Sequence, residues 1–388
     1  MSIAVIGGGI AGAAAAFEIA RQGSPATVFH GVAGSSGLYS GALDFELWDR
    51  ASEASALPEG LPEFSDALGA WLLGPAERRL ATPEGNVRPA RGSDRAILDL
   101  DPCAGKRIAV VDVERDDWDA QLLAKSFASS PWAVQTQTRF QAVPVKALQN
   151  GFERRIAGYD FAALHDQPER AQALQSALRA SGETPDAWLL GPWLGLERPL
   201  ARELSLALGV PVGETTSAPG GAAGARFENA RDRLLGRIAA VERGQLTRIE
   251  RRGSGYCLHL RDRAPREFPV LVLATGGVAA GGVALERSFE RRGGTGFRLS
   301  FTAPVLLELA GEVVEGVSSL SSVDFVELGL GVLLEVGIAT LADGSARDNP
   351  GIFVAGDAIA GRPRTALRAA HSGIAAARAA LHYCRSSG

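Results

Sequence analysis

The stretch Ile3-Ala4-Val5-Ile6-Gly7-Gly8-Gly9-Ile10-Ala11-Gly12 decides how this chain is read. Ile3 to Ile6 form an apolar run of the kind found in buried parallel strands. Gly7, Gly9 and Gly12 then fit G-x-G-x-x-G, the turn between a strand and a helix that seats a phosphate. The first glycine permits the tight turn, the second lets backbone approach a pyrophosphate, and the third lets the helix pack on the strand. A helix is expected at once, with Ala13 to Ala16, Phe17, Ile19 and Ala20 as a small-residue face and Gly23 as its stop. Its first turn, at Ile10 and Ala11, would present free N–H groups and a positive dipole end to an anion.

Working outward, Ala26-Thr27-Val28-Phe29 reads as the second strand. In a dinucleotide fold its end supplies an Asp or Glu to the adenosine ribose. Here Phe29, His30 and Gly31 occupy those positions, so a charge-assisted hydrogen bond of about 1.5 to 3 kcal/mol is missing. The adenosine contact is therefore weaker than the phosphate contact. The segment from Gly34 to Asp44 is dense in hydroxyls and glycines and offers donors with little bulk. Within it, Ser40 and Gly41 are expected at a phosphate or ribityl contact. Two later stretches return to the same sheet. Val270 to Leu273 is a buried strand running into Ala274-Thr275-Gly276-Gly277, and Ile352 to Val354 is a strand ending in Gly356-Asp357, whose carboxylate can accept from ligand hydroxyls.

The 388 residues suffice for two or three domains, and a hydrophobic share of 46% marks a globular chain without an apolar run of membrane-spanning length. No signal peptide is read at the start, which makes the cytoplasm the expected location. A net charge of −4 with dispersed basic residues gives no reason to expect nucleic acid as partner. The basic residues are nearly all Arg, and many fall in helical surface patterns. Cys103, Cys257 and Cys384 form no C-x-x-C, so a metal site built on four cysteines is excluded, and no metal ligands are assigned.

Between the two halves of the nucleotide motif, residues 45 to 105 are punctuated by Pro and Gly, with one amphipathic stretch from Phe64 to Leu73. From there strands at Ile108–Val113, Gln141–Val145 and Ala187–Leu190 alternate with helices at Trp118–Ala128, Gln167–Ser181 and Pro199–Leu208. The expected architecture is α/β: a Rossmann-like FAD/NAD(P)-binding domain over 1–80 and 221–388, with a second α/β domain inserted over 81–220. A helix at Ala225–Leu235 and a hairpin of Leu246–Arg251 and Tyr256–Leu260 follow the insertion.

The chain resembles the B-type subunits of the anaerobic glycerol-3-phosphate dehydrogenase, a family within the FAD-dependent oxidoreductase and fumarate-reductase-like group. The likeness is carried by IAVIGGGIAG (3–12), YSGALD (39–44), TPEG (82–85), KRIAVVDV (106–113), PGGAAGARF (219–227), LVLATGGVAAGGV (271–283) and PGIFVAGDAIAG (350–361). The resemblance implies a flavin, FAD or FMN, in one component of a respiratory-chain-linked dehydrogenase. Electrons would pass to iron–sulfur centres on a partner, and the membrane would be met only through partners, at its inner face. The chain departs from the family after Gly361, where Arg362-Pro363-Arg364-Thr365-Ala366 and then His371-Ser372-Gly373 replace a glycine-rich pattern.

The cofactor-binding set is therefore Gly7, Gly9, Ile10, Ala11, Gly12, Phe29, His30, Gly31, Ser40, Gly41, Ala274, Thr275, Gly276, Gly356, Asp357, Thr365 and Ala366. Arg364 and His371, at the start of a final helix over Thr365–Tyr383, are the candidates for catalysis. Two other functions stay open: a stand-alone flavoprotein dehydrogenase or oxidase of a small hydroxy or amino substrate, and a structural subunit that has lost its flavin.

Overall fold

The computed structural model describes residues 2–31, 34–46, 56–288, 296–301, 303, 305–309, 312–314, 319–321 and 335–386. Part of the segment expected to complete the nucleotide-binding domain over 221–388 thus lies outside the described residues.

The chain opens with β1 (Ile3–Ile6), α1 (Ile10–Arg21) and β2 (Ala26–His30). Next come β3 (Ala42–Leu43), α2 (Leu61–Leu68) and an antiparallel hairpin of β4 (Trp71–Ala81) and β5 (Val87–Asp94). A second α/β run follows: β6 (Arg107–Asp112), α3 (Ala120–Ala128), α4 (Pro131–Thr136), β7 (Arg139–Pro144), α5 (Gly158–Leu164), α6 (Pro168–Ala180), β8 (Ala187–Leu190), α7 (Leu200–Leu208) and β9 (Val212–Glu214). The long helix α8 (Ala222–Ile238) leads into β10 (Ala240–Arg243), then β11 (Leu246–Arg252), β12 (Gly255–Leu260), β13 (Arg266–Phe268) and β14 (Val270–Leu273). Short strands β15 (Ala284–Ser288), β16 (Gly296–Ser300), β17 (Leu307–Leu309), β18 (Glu312–Val314), β19 (Ser319–Ser321) and β20 (Gly337–Ile338) precede β21 (Ile352–Val354) and α9 (Ala366–Ser386).

The main sheet has five strands in the order β10-β2-β1-β14-β21, every pairing parallel. Period-two alternation gives it two buried faces. Ile3 and Val5 of β1, Val270 and Val272 of β14, and Phe353 of β21 pack with the helices α1, α8 and α9. Ala4 and Ile6, Leu271 and Leu273, and Ile352 and Val354 face the opposite core with Tyr256, Leu258 and Phe268 of the β11-β12-β13 sheet. This is a Rossmann-like α/β domain. The second parallel sheet, in the order β7-β6-β8-β9, has its own core, including Val110, Phe127, Leu174 and Leu189.

Three local expectations are corrected. The amphipathic stretch from Phe64 to Leu73 is two elements, because Gly69 adopts a left-handed conformation that ends α2 and Trp71 begins β4. Residues expected to be irregular form the β4–β5 hairpin; Gly74-Pro75 and Glu77-Arg78-Arg79 break its alternation, and the register slips between Leu73 and Arg78. The edge strand β10, unforeseen, pairs with β2 although most of its four residues are exposed. Among the described residues no helix is long and apolar enough to cross a membrane.

Candidate functional site

The parallel registers bring four strand ends to one edge. Ile6 pairs with both Phe29 and Leu273, and Leu273 pairs with Val354, so Gly7, His30, Ala274 and Ala355 emerge side by side. The chain leaves β1 for β2 on one side and returns as β14 on the other. Ligands of open parallel sheets lie in the crevice at the carboxyl ends of such strands. A cavity of about 520 Å³ occupies that place.

Its floor is backbone. Gly7 sits at φ +111°, and a Cβ there would stand 2.1 Å from the carbonyl oxygen of Ala274. Side chains at Gly8 and Gly9 would meet His30 Nδ1 at 2.6 Å and Ser36 Oγ at 2.8 Å. Only glycine leaves the peptide groups of this turn open to a ligand. The Ser36 hydroxyl accepts from the Ile10 N–H at 3.0 Å, while the N–H groups of Ala11 and Gly12 belong to a first turn that has no intrahelical acceptors. A phosphate-bearing ligand fits this donor set and this close backbone approach.

Of the expected binding residues, Gly7, Gly9, Ile10, Ala11, Phe29, His30, Gly31, Ser40, Ala274, Thr275, Gly276, Gly356, Asp357, Thr365 and Ala366 line the cavity. Gly12 and Gly41 do not. Gly12 packs under the turn, where a Cβ would stand 1.9 Å from the Gly7 carbonyl oxygen. Gly41, at φ +98°, faces Ile97 and Ala223.

The candidate catalytic residues separate. Arg364 lines the cavity; its Nη2 donates to the Val336 carbonyl at 3.0 Å, and its guanidinium covers Gly277. His371 is not in the lining. It lies half-buried on α9, edge-on to Phe45 at 6.5 Å between ring centres. Burial, then the Arg368 and Arg378 charges, push its pKa down.

Asp357 lines the cavity opposite Ser35, whose hydroxyl lies 3.5 Å from Oδ2. Burial pushes its carboxyl up, with the Arg364 charge opposing. The start of α9 is tied to the segment at β3: the Leu367 N–H donates to the Asp44 carbonyl at 3.2 Å, and the Thr365 hydroxyl to the Phe45 carbonyl at 3.1 Å.

Ser35, Ser36 and Asp44, within the 34–44 segment expected to offer donors, line the cavity, and so do Arg88 and the Gly244–Leu246 segment, which sequence reasoning missed. Asp44 and Arg88 form a mostly buried ion pair across β3 and β5. Arg88 escapes notice because the hairpin that carries it has no strand-like alternation to mark it.

A further buried charge cluster stands behind Tyr39 and Ser40. Arg226 of α8 donates through Nε to Asp94 at 2.9 Å, through Nη1 to the Gly195 carbonyl at 2.9 Å, and through Nη2 to Glu214. It therefore joins the β5 end and the β9 end to α8, which packs on the five-stranded sheet. Many arginines fall in helical surface patterns, but Arg226 and Arg231 are not among the exposed ones, at 8% and 4%.

No protein-family model and no curated protein matches the chain. Solved structures similar to it include glycine oxidase from Geobacillus kaustophilus, 14% identical with TM-score 0.35 over 98% of this chain and 94% of that one. The GidA-related protein from Thermus thermophilus is 11% identical, with TM-score 0.34 over 98% and 97%. AlpK is 12% identical, with TM-score 0.33; the match covers 98% of this chain but only 62% of AlpK. Likenesses this distant carry no argument about function, and the fold assignment rests on the strand order and registers above.

Proposed function

We propose that this protein is a flavin-dependent oxidoreductase whose flavin nucleotide occupies the cavity at the carboxyl edge of the five-stranded sheet. The observation that carries the reading is the convergence, on one cavity, of the Gly7–Ala11 turn, the Ala274–Gly276 segment, Asp357 and the start of α9. When bound, the flavin supplies the electron chemistry. The chain's own groups bind and orient it. The glycine turn takes phosphate, Asp357 and Ser35 accept or donate to hydroxyls, and Arg364 places a positive charge beside Gly277 at the α9 end. A cation there favours negative charge on a neighbouring ligand group. The cavity also reaches Gly244, Gln245 and Leu246 beyond β2, which gives room on the adenosine side and favours FAD over FMN.

The sequence motifs extend the reading to a protein resembling the B-type subunits of glycerol-3-phosphate dehydrogenase, passing electrons to iron–sulfur centres on a partner at the membrane face. The polar Asp44–Arg88 ion pair in the cavity wall favours a second form, a stand-alone enzyme acting on a small hydroxy or amino substrate. Anaerobic mixing of the purified protein with small hydroxy and amino acids separates them. Rapid bleaching of the flavin bands by one of these supports the stand-alone form. Bleaching by none of these alone, but reduction of both the flavin and the iron–sulfur bands once co-purified partner proteins oxidise a substrate and deliver its electrons, supports the relay. Protein that holds flavin but is bleached under neither condition contradicts both.

A further inference from the structure

Gly8, the middle residue of the turn, is held from two sides. The His30 ring packs against its Cα, with Nδ1 2.6 Å from where a Cβ would stand. Arg231, more than two hundred residues later on α8, donates from Nη1 to the Gly8 carbonyl oxygen at 3.1 Å. Arg231 is only 4% exposed; its Nε donates to Asp232 at 2.9 Å, and Glu228 stands 4.0 Å away. Its own position is fixed because α8 is pinned by Arg226 one and a half turns earlier and by Gly224, whose Cβ would stand 2.1 Å from the Gly37 carbonyl.

The peptide joining Gly8 to Gly9 is planar and trans, so its C=O and N–H point in opposite directions. Arg231 lies outside the cavity lining, whereas Gly8 and Gly9 are in it. A Gly8 carbonyl drawn toward Arg231 therefore turns the Gly9 N–H toward the ligand. The same guanidinium brings a mostly buried positive charge behind the turn, where low polarity strengthens its field on an anion. This cation stands close to the end of β2, where a dinucleotide fold ordinarily places a carboxylate and this chain has His30.

We propose that Arg231 is a positioning residue for phosphate recognition: it orients the Gly8–Gly9 peptide and supplies the charge that makes nucleotide affinity depend on phosphate. The role rests on reading the cavity as a flavin-nucleotide site. The test titrates full-length protein, freed of bound flavin, with riboflavin, FMN and FAD, following flavin fluorescence. In Arg231→Met, FMN and FAD affinity should fall about ten-fold or more, the size expected for losing a charge-assisted hydrogen bond. Riboflavin, which lacks phosphate, should change by no more than about two-fold. Arg231→Lys, which keeps charge without the planar fork, should recover part of the loss for FMN and FAD. Added salt should weaken FMN binding less steeply in Arg231→Met than in wild type. If Arg231→Met does not fold, Arg231→Lys carries the test, with FMN and FAD weakened and riboflavin unchanged. Equal losses for all three ligands, or none for any, overturn the role of Arg231 while leaving the flavin site standing. Wild-type protein that binds none of the three overturns the flavin reading, and this role with it.

Discussion

The carbonyl oxygen of Gly7 lies 1.9 Å from the position a Cβ on Gly12 would take, so the turn and the first helix are in backbone contact. Gly12→Ala must push α1 away from β1. Overpacking of this kind costs about 1 to 3 kcal/mol, and the displaced helix start carries the first-turn amides with it. The expected result is a lower unfolding midpoint together with at least a roughly ten-fold loss of flavin affinity, read by denaturant titration and fluorescence.

Asp357 trades stability for binding. Its carboxyl is buried and its pKa raised, so ionisation costs more there than in water. Asp357→Asn removes that cost and keeps the shape. Thermal unfolding of the flavin-free variant should match or exceed that of wild type, whereas flavin affinity should fall by about ten-fold. A variant that melts earlier yet binds flavin normally would assign Asp357 a purely structural role.

Arg226 sits between Asp94 and Glu214, both fully buried. Arg226→Met leaves two carboxylates without their cation, a change that costs about 3 to 5 kcal/mol. Adding Asp94→Asn and Glu214→Gln should restore much of that loss. Urea unfolding of the single and triple variants measures it.

His165 is neutral in the fold, its Nδ1–H donating to the Trp193 carbonyl at 2.9 Å. Burial lowers its pKa from 6.5 to about 4. The unfolded chain therefore takes up this proton first as pH falls, and the stability contribution is present above pH 6.5 and lost on descending toward about 4. At pH 5 the loss is about 2 kcal/mol relative to pH 8. His165→Gln should flatten that part of the profile of unfolding free energy against pH.

The parts legible in the sequence are those where one residue type answers one physical demand. The run Ile3–Ile6 followed by Gly7, Gly9 and Gly12 can be read because a buried parallel strand needs apolar residues and the turn needs glycine. Val270–Leu273 and Ile352–Val354 are legible for the same reason. The β4–β5 hairpin is not, since Arg91, Ser93 and Asp94 are buried polar groups that mimic a loop in sequence. Arg226 and Arg231 look like two of many helix arginines, and only long-range partners, Glu214 and the Gly8 carbonyl, distinguish them. His371 falls where the sequence places it, on the last helix, but its distance from the cavity is set by the packing of α9 on Phe45, which no local pattern encodes.

The most direct measurement is the visible absorption spectrum of gently purified, full-length protein, followed by the mass of whatever heat or acid releases. Flavin bands and a released mass of FAD are the expected result. A colourless protein that stays colourless after incubation with FAD and FMN would contradict a flavin-dependent oxidoreductase.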